Sequence, residues 1–232
     1  MKLGVISDIH GNHLALQAVL NSAKSKGVEK LLVAGDLIGY YFWAKEVINL
    51  LKDWDCLIVR GNHEEMLAKA IQNPEYLIEV DKKYGKGIRY AIETLADTEI
   101  DFLISLPHPL EVSFDDLSIL LCHGSPWDLD KYIYPDADLA IFDQFDLNKF
   151  DIVIVGHTHY PMVKNIKNSI LLNPGSVGQS RNRIPGAHWA ILETENNAIE
   201  HFVEKYDDSY IITKAEEIEP NLPYLTQVLQ RQ

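Results

Sequence analysis

Five short clusters in this 232-residue chain set aspartate, histidine and asparagine beside glycine: Ser7-Asp8-Ile9-His10-Gly11-Asn12, Gly35-Asp36, Gly61-Asn62-His63-Glu64, His123-Gly124 and Gly156-His157-Thr158-His159. Imidazole nitrogens, carboxylates and amide oxygens are borderline to hard donors that suit divalent Mn, Fe, Zn, Ni or Co, and no thiolate accompanies them. Asp8 and His10, like His157 and His159, stand two apart, so at a strand end both members of each pair point to the same side. Two ions about 3.5–4 Å apart also need one donor that reaches both, and a carboxylate can do this. Asp36 is the natural candidate. The glycines end strands and let neighbouring donors approach closely.

Each cluster follows a segment that reads as a strand. Short apolar runs alternate with helical stripes through the first sixty residues, the signature of βαβ units and a largely parallel sheet. Lys2 to Ser7, Lys30 to Ala34 and Cys56 to Val59 are the strands, and Leu16, Val19, Leu20 and Ala23, then Ala44, Val47, Ile48 and Leu51, mark the helices between them. From Glu64 to about Leu106 the spacing turns helical, with Ile88, Ala91, Ile92 and Leu95 as one stripe and breaks at Asn73-Pro74 and Gly85. A helical, cap-like insertion over about 66–106 is expected.

From Pro109 onward strands are predicted at Leu110 to Phe114, Leu117 to Cys122, Asp151 to Val155, Met162 to Ile166, Ser169 to Leu172, Trp189 to Glu193 and Ile199 to Val203. Turn pairs such as Asp115-Asp116 and Asn196-Asn197 suit antiparallel hairpins. The expected fold is one α/β domain over 1–232, a four-layer αββα sandwich of two mixed sheets packed face to face with helices outside. In α/β sheets ligands bind at the carboxyl ends of strands, so the five clusters are expected to meet at one site.

The ordered set Asp-x-His, Gly-Asp, Gly-Asn-His-Glu, His-Gly and Gly-His-x-His resembles the calcineurin-like metallophosphoesterase superfamily in every motif and in order, from Asp8 to His159. The Asn173-Pro174-Gly175-Ser176 segment extends the match, and Ser-Asp-Ile-His-Gly-Asn with the later Asn-Pro-Gly-Ser-Val-Gly looks like its small bacterial and archaeal phosphodiesterases. The resemblance implies that Asp8, His10 and His159 hold one metal, that Asn62, His123 and His157 hold the other, and that Asp36 bridges them. It also implies that His63 is no ligand but lies over the site, stabilising the transition state or protonating the leaving oxygen.

The implied reaction is phosphate-ester hydrolysis by direct attack of a metal-activated hydroxide, two cations lowering the pKa of a water and holding the phosphate oxygens. Manganese is the first expectation for the two ions, with iron, zinc, nickel and cobalt as alternatives. A phosphodiester of a small molecule or nucleotide is the expected substrate; phosphomonoester or dinucleoside polyphosphate hydrolysis stands as the alternative. A non-catalytic binding scaffold is the alternative of another class, and His63 beside a complete donor set argues against it. Where many relatives continue Gly-Tyr-Gly-Pro, this chain has Gly39-Tyr40-Tyr41-Phe42-Trp43. The aromatic run is expected to pack against the sheet, with base stacking as its alternative; Trp127 poses the same choice.

Lys and Arg number 21 against 34 Asp and Glu, a formal net charge of -13. That sign excludes a protein that coats nucleic acid with bulk positive charge, so no stable duplex binding is expected, and bound metals would attract a phosphate instead. No apolar run is long enough to span a bilayer, and the N-terminal one is too short for a signal peptide; no membrane partner and a cytoplasmic location are expected. Asn12, Arg181 and Arg183 are candidate substrate contacts, Asn12 having helix capping as its stronger role. Glu64 and Glu65 are expected to favour a helix start. Cys56 and Cys122 read as buried free thiols, and His13, His108, His188 and His201 stay outside the metal set. A homo-oligomer is open, with Trp43 and Trp127 as residues that would serve an interface if exposed. The tail from Glu216 suggests no function.

Overall fold

A computed structural model describes residues 1–114 and 116–231. Strands and helices first alternate as the apolar spacing predicts: β1 (Lys2–Ile6), α1 (His13–Ser25), β2 (Lys30–Val33), α2 (Ala44–Lys52) and β3 (Cys56–Ile58). Four helices follow, α3 (Asn62–Gln72), α4 (Pro74–Tyr84), α5 (Gly87–Thr94) and α6 (Asp97–Ser105). Asn73 caps α4 by accepting from Glu75 and Tyr76 N–H at 3.0 and 3.2 Å, and Gly85, with φ 82°, ends it. Then come β4 (Leu110–Phe114), β5 (Leu117–Leu121), β6 (Ile152–Ile154), β7 (Met162–Ile166), β8 (Ser169–Asn173), β9 (Ala187–Glu193), β10 (Ala198–Glu204), α7 (Ser209–Ile218) and α8 (Tyr224–Gln227).

The strands form two five-stranded mixed sheets, β10-β9-β1-β2-β3 and β4-β5-β6-β8-β7. Each holds three parallel strands, β1, β2 and β3 in the first, where β9 and β10 add antiparallel on the β1 side and β3 is the edge, and β5, β6 and β8 in the second, flanked by antiparallel β4 and β7. Alternation along a strand divides its side chains between two layers. Leu3 and Val5 of β1 face the second sheet, where they pack with Leu32, Ile119, Leu121, Ile152 and Ile154. Ile6 faces outward onto Leu16, Val19 and Leu20 of α1 and Val47 of α2, and the same cluster takes in Leu67, Ile88 and Leu103 of the later helices. Fully burying one such side chain contributes about 1.5–3 kcal/mol. The outer face of the second sheet is covered by Ile133, Leu147, Phe150 and Phe142, the last from a 3₁₀ turn at Leu139–Gln144.

Asn197 takes φ 58° in the β9-β10 hairpin, as its turn pair predicts, whereas the Asp115-Asp116 pair includes Asp115, which lies outside the described residues. The aromatic run differs from expectation. Tyr40, Tyr41 and Phe42 are buried beneath α7 and α8, with Ile211, Leu225 and Val228, rather than against a sheet, and Tyr41 Oη donates to the Leu225 carbonyl at 2.9 Å. The C-terminal tail, featureless in sequence, supplies that cover. Trp127 packs edge-on to Phe142. Cys122 is buried and free, but Cys56 is only half-buried because β3 is the sheet's edge strand. No helix among the described residues is long and apolar enough to cross a membrane.

Candidate metal centre

All five clusters leave the carboxyl ends of parallel strands and meet in one buried patch. Asp8 and His10 follow β1, Asp36 follows β2, Asn62 and His63 open α3 just past β3, His123 follows β5, and His157 and His159 follow β6. Asp8, His10, Asp36, His157 and His159 all have left-handed backbone, with φ of 54°, 53°, 55°, 64° and 63°. Both two-apart pairs lie beyond their strands, so this repeated left-handed turn, rather than strand pleat, brings each pair to one side. The conformation costs roughly 1–2 kcal/mol per residue and persists where the surroundings hold it. Here Ile9 and His10 N–H donate to the Asp36 carbonyl at 2.8 and 3.0 Å, tying the first loop to the second. Gly61 makes room for the carboxylate between them, since a Cβ there would stand 2.1 Å from Asp36 Oδ1.

Donor atoms of Asp8, His10 and His159, and separately of Asp36, His123 and His157, lie within 4.8 Å of one another. The four imidazoles share one design. His10 Nδ1 donates to the Ile38 carbonyl at 3.2 Å, His159 Nδ1 to Gln179 at 2.5 Å, His123 Nδ1 to Ala34 at 2.7 Å and His157 Nε2 to Asp130 at 3.2 Å. A carbonyl only accepts, so these partners place the proton on that nitrogen and the lone pair on the other.

The remaining nitrogens face each other, His10 Nε2 with His159 Nε2 at 3.0 Å and His123 Nε2 with His157 Nδ1 at 3.2 Å. Two lone pairs at that distance repel unless a proton or a cation lies between them. Burial pushes His10 and His159 down, so no proton relieves the first pair, and Asp8 Oδ1 beside it is buried with no hydrogen-bond partner among the described residues. At the second pair burial acts against the charge of His123, but Asp36, and more weakly Asp8, raise it to about 10; a divalent ion would take that proton's place.

Asp36 Oδ2 stands between the pairs, 3.7 Å from His10 Nε2 and 3.3 Å from His123 Nε2, and Asn62 Oδ1 is 2.9 Å from His123 Nε2. These nitrogen and oxygen donors fit two divalent cations sharing one carboxylate.

His63 sits over the donors, edge-on to His10 at 4.7 Å, with Tyr40 and Tyr84 at 4.9 and 5.4 Å. It falls within the same 4.8 Å span of His10 and Asp36, yet its Nδ1 is buried with no partner among the described residues, and no carbonyl of these orients it as the other four are oriented. Burial lowers its pKa to about 4, Asp36 pulling the other way, and the ring is neutral at pH 7.

Glu64 does more than favour a helix start. Its carboxylate is fully buried and accepts N–H groups of Asp36, Leu37, Ile38 and Gly61 at 2.8–3.3 Å, clamping the Asp36 loop onto α3. Burial first, and then the charge of Asp36, push it up to about 7 against those donors.

Asn12 is taken up by the fold: Oδ1 caps α1 by accepting from Ala15 N–H, and Nδ2 donates to the Gly178 carbonyl and to Tyr206 Oη, so its amide protons are not free for a substrate. Arg181 reaches the edge of the centre, donating from Nη2 to Tyr40 Oη at 3.1 Å and Gln179 Oε1 at 3.2 Å, whereas Arg183 is exposed on the same loop. Sequence reasoning missed the carbonyls of Gln179 and Asp130, and Tyr132, whose ring lies 4.0 Å from that of His157. A carbonyl leaves no mark on the residue that bears it, whereas Tyr132 and Tyr134, two apart, form a visible aromatic pair in the sequence.

A model of the calcineurin-like phosphoesterase superfamily domain matches residues 1–197. An uncharacterised protein of Methanocaldococcus jannaschii is 33% identical over 224 residues, 88% of each chain, and a phosphodiesterase of the same archaeon is 24% identical over 88% of this chain and 99% of its own. The crystal structure of a hypothetical protein from Pyrococcus horikoshii superposes with a TM-score of 0.86 at 22% identity, covering 99% of this chain and 98% of that one.

Proposed function

This chain belongs to the calcineurin-like phosphoesterase superfamily, a family of hydrolases, and from that membership we propose that it is a two-metal phosphoesterase cleaving a phosphodiester of a small molecule or nucleotide. The observation that carries the reading is the facing pair His10 and His159, two neutral imidazoles whose lone pairs meet at 3.0 Å beside the unpartnered Asp8 Oδ1. Asp8, His10 and His159 would hold one divalent ion, Asn62, His123 and His157 the other, and Asp36 both, with manganese as the first choice of metal. Such ions supply a water of lowered pKa and hold phosphate oxygens through in-line attack.

The chain's own residues do the rest. Carbonyls of Ile38, Gln179, Ala34 and Asp130 keep each imidazole in the tautomer that offers a lone pair inward. Neutral His63 presents an N–H over the site, where it can donate to the oxygen that leaves. The phosphodiesterase of Methanocaldococcus jannaschii supports a diester over a monoester.

The test is hydrolysis of bis(p-nitrophenyl) phosphate and p-nitrophenyl phosphate, side by side, on chelator-stripped protein resupplied with manganese. Turnover that requires the metal and favours the diester is the expected result. Preference for the monoester would overturn the diester reading, and no turnover with either, at full metal occupancy, would overturn hydrolysis of simple esters altogether.

A further inference from the structure

The aromatics that sequence offered for base stacking, the run from Tyr40 to Trp43 and Trp127, are spent on packing, Trp43 as a partly buried residue against the same cluster. A different pair stands open beside the metal centre. Tyr132 and Tyr134 are 47% and 41% exposed, and their rings stack at 5.7 Å with 12° between planes. Tyr132 also touches His157, their ring centroids 4.0 Å apart and their planes tilted by 41°, and Tyr160 closes the row edge-on to Tyr134 at 5.8 Å. The loop that carries Tyr132 also supplies the Asp130 carbonyl to His157, so the aromatic surface is registered to the donors rather than merely near them.

Arg181 belongs to the same constellation from the other side. Tyr40 and Gln179 hold its Nη2, while its Nε is buried with no hydrogen-bond partner among the described residues. Tyr40, which accepts from Arg181, stands edge-on to His10 with ring centroids 4.7 Å apart, so the guanidinium lies one aromatic ring away from the first donor group. An oriented guanidinium with an unused N–H beside a phosphate site suits a phosphate oxygen, and an exposed aromatic face suits a flat ring system. With a net charge of -13 the protein disfavours a polymer, so the two features together fit a single nucleotide unit.

We propose that Tyr132 and Arg181 form a nucleotide subsite, Tyr132 stacking the base and Arg181 holding an oxygen of the phosphate that carries the nucleoside. The proposal rests on the phosphoesterase reading above and names its substrate class as nucleoside phosphodiesters.

Two chromogenic diesters with the same leaving group separate the ideas: the p-nitrophenyl ester of thymidine 5′-monophosphate and methyl p-nitrophenyl phosphate. In manganese-loaded wild type, kcat/KM should favour the nucleoside ester. Tyr132→Ala should lower that preference about tenfold, mainly through KM, and Tyr132→Phe should restore it, since stacking needs the ring and not the hydroxyl. Arg181→Gln should lower kcat/KM for both esters about tenfold. Circular dichroism and metal content establish that each variant is folded and loaded.

A preference left within twofold by Tyr132→Ala, or lost equally with Tyr132→Phe, overturns the stacking role; Arg181→Gln without effect on either ester overturns the clamp. If wild type cleaves neither ester, the phosphoesterase reading fails, and the subsite is judged separately by calorimetry. Adenosine 5′-monophosphate should then still bind about tenfold tighter than ribose 5-phosphate, an advantage absent from Tyr132→Ala, and equal binding of the two by wild type rejects the subsite.

Discussion

The Glu64 carboxylate accepts the backbone N–H of Asp36 at 3.0 Å, while Asp36 accepts the backbone N–H of His63, the residue just before Glu64, at 2.9 Å. The two acids thus lock the second loop to the start of α3 from both sides, and Asp36, the carboxylate proposed to serve both metals, owes its position to this neighbouring acid.

Glu64→Gln tests that lock. The carboxylate serves four N–H groups, and an amide in its place turns one acceptor oxygen into a donor that faces them. Each buried N–H left unpaired costs about 1–3 kcal/mol. The variant should unfold about 3 kcal/mol more easily in urea and bind manganese more weakly, because Asp36 loses its support. Wild-type stability together with wild-type metal content would show that the clamp is dispensable.

Asp36→Asn and His63→Ala should separate the proposed ligand from the proposed hydrogen-bond donor. Asp36 Oδ2 stands near both imidazole pairs, so its loss should weaken both ions and reduce kcat/KM by at least about a hundredfold. His63 has no orienting carbonyl, and its removal should leave two metals per chain by elemental analysis while kcat falls about 10²–10⁴-fold. Loss of metal from His63→Ala would make it a ligand and would undo the division of roles.

Gly39→Ala reaches His63 without changing it. Gly39 has φ 89°, and a Cβ there would stand 1.9 Å from His63 Nδ1. The backbone penalty alone is about 1–2 kcal/mol, and the imidazole must also move. We expect a lowered melting temperature, retained metal and a fall in kcat that approaches that of His63→Ala. A variant with full kcat would mean that the ring is free to shift without consequence.

What was legible in the sequence followed from side-chain chemistry and spacing. The i, i+3, i+4, i+7 stripes locate α1 and α2, and the five clusters of Asp, His and Asn converge as strand-end logic predicts. What was not legible depends on atoms that every residue has, or on contacts made far along the chain. The carbonyls of Gln179 and Asp130 orient His159 and His157 with no motif to announce them. The burial of Tyr41 depends on Leu225, 184 positions away. Glu64 read as a helix-start residue because local spacing shows its capping of α3 but not its reach to the Asp36 loop.

Away from the metal centre, Glu99 should give the fold a measurable acid dependence. It caps α6 by accepting the Ala96 N–H at 3.0 Å and also pairs with Lys45 and Lys52 of α2, so one carboxylate joins the two helices. The hydrogen bond from Lys45, then that from Ala96, hold its pKa down at about 2 instead of 4.5. A depressed carboxyl favours the folded state only while ionised: its contribution is complete above pH 4.5 and is lost as pH falls from there toward 2. Both lysines are substantially exposed, so screening keeps the effect modest, about 1 kcal/mol for Glu99→Gln at pH 7. In urea titrations the gap between wild type and Glu99→Gln should therefore narrow as pH is lowered from 7 to 3, and should shrink at pH 7 when salt is raised to about 0.5 M. A gap that stays constant across that range would assign the role of Glu99 to packing rather than to charge.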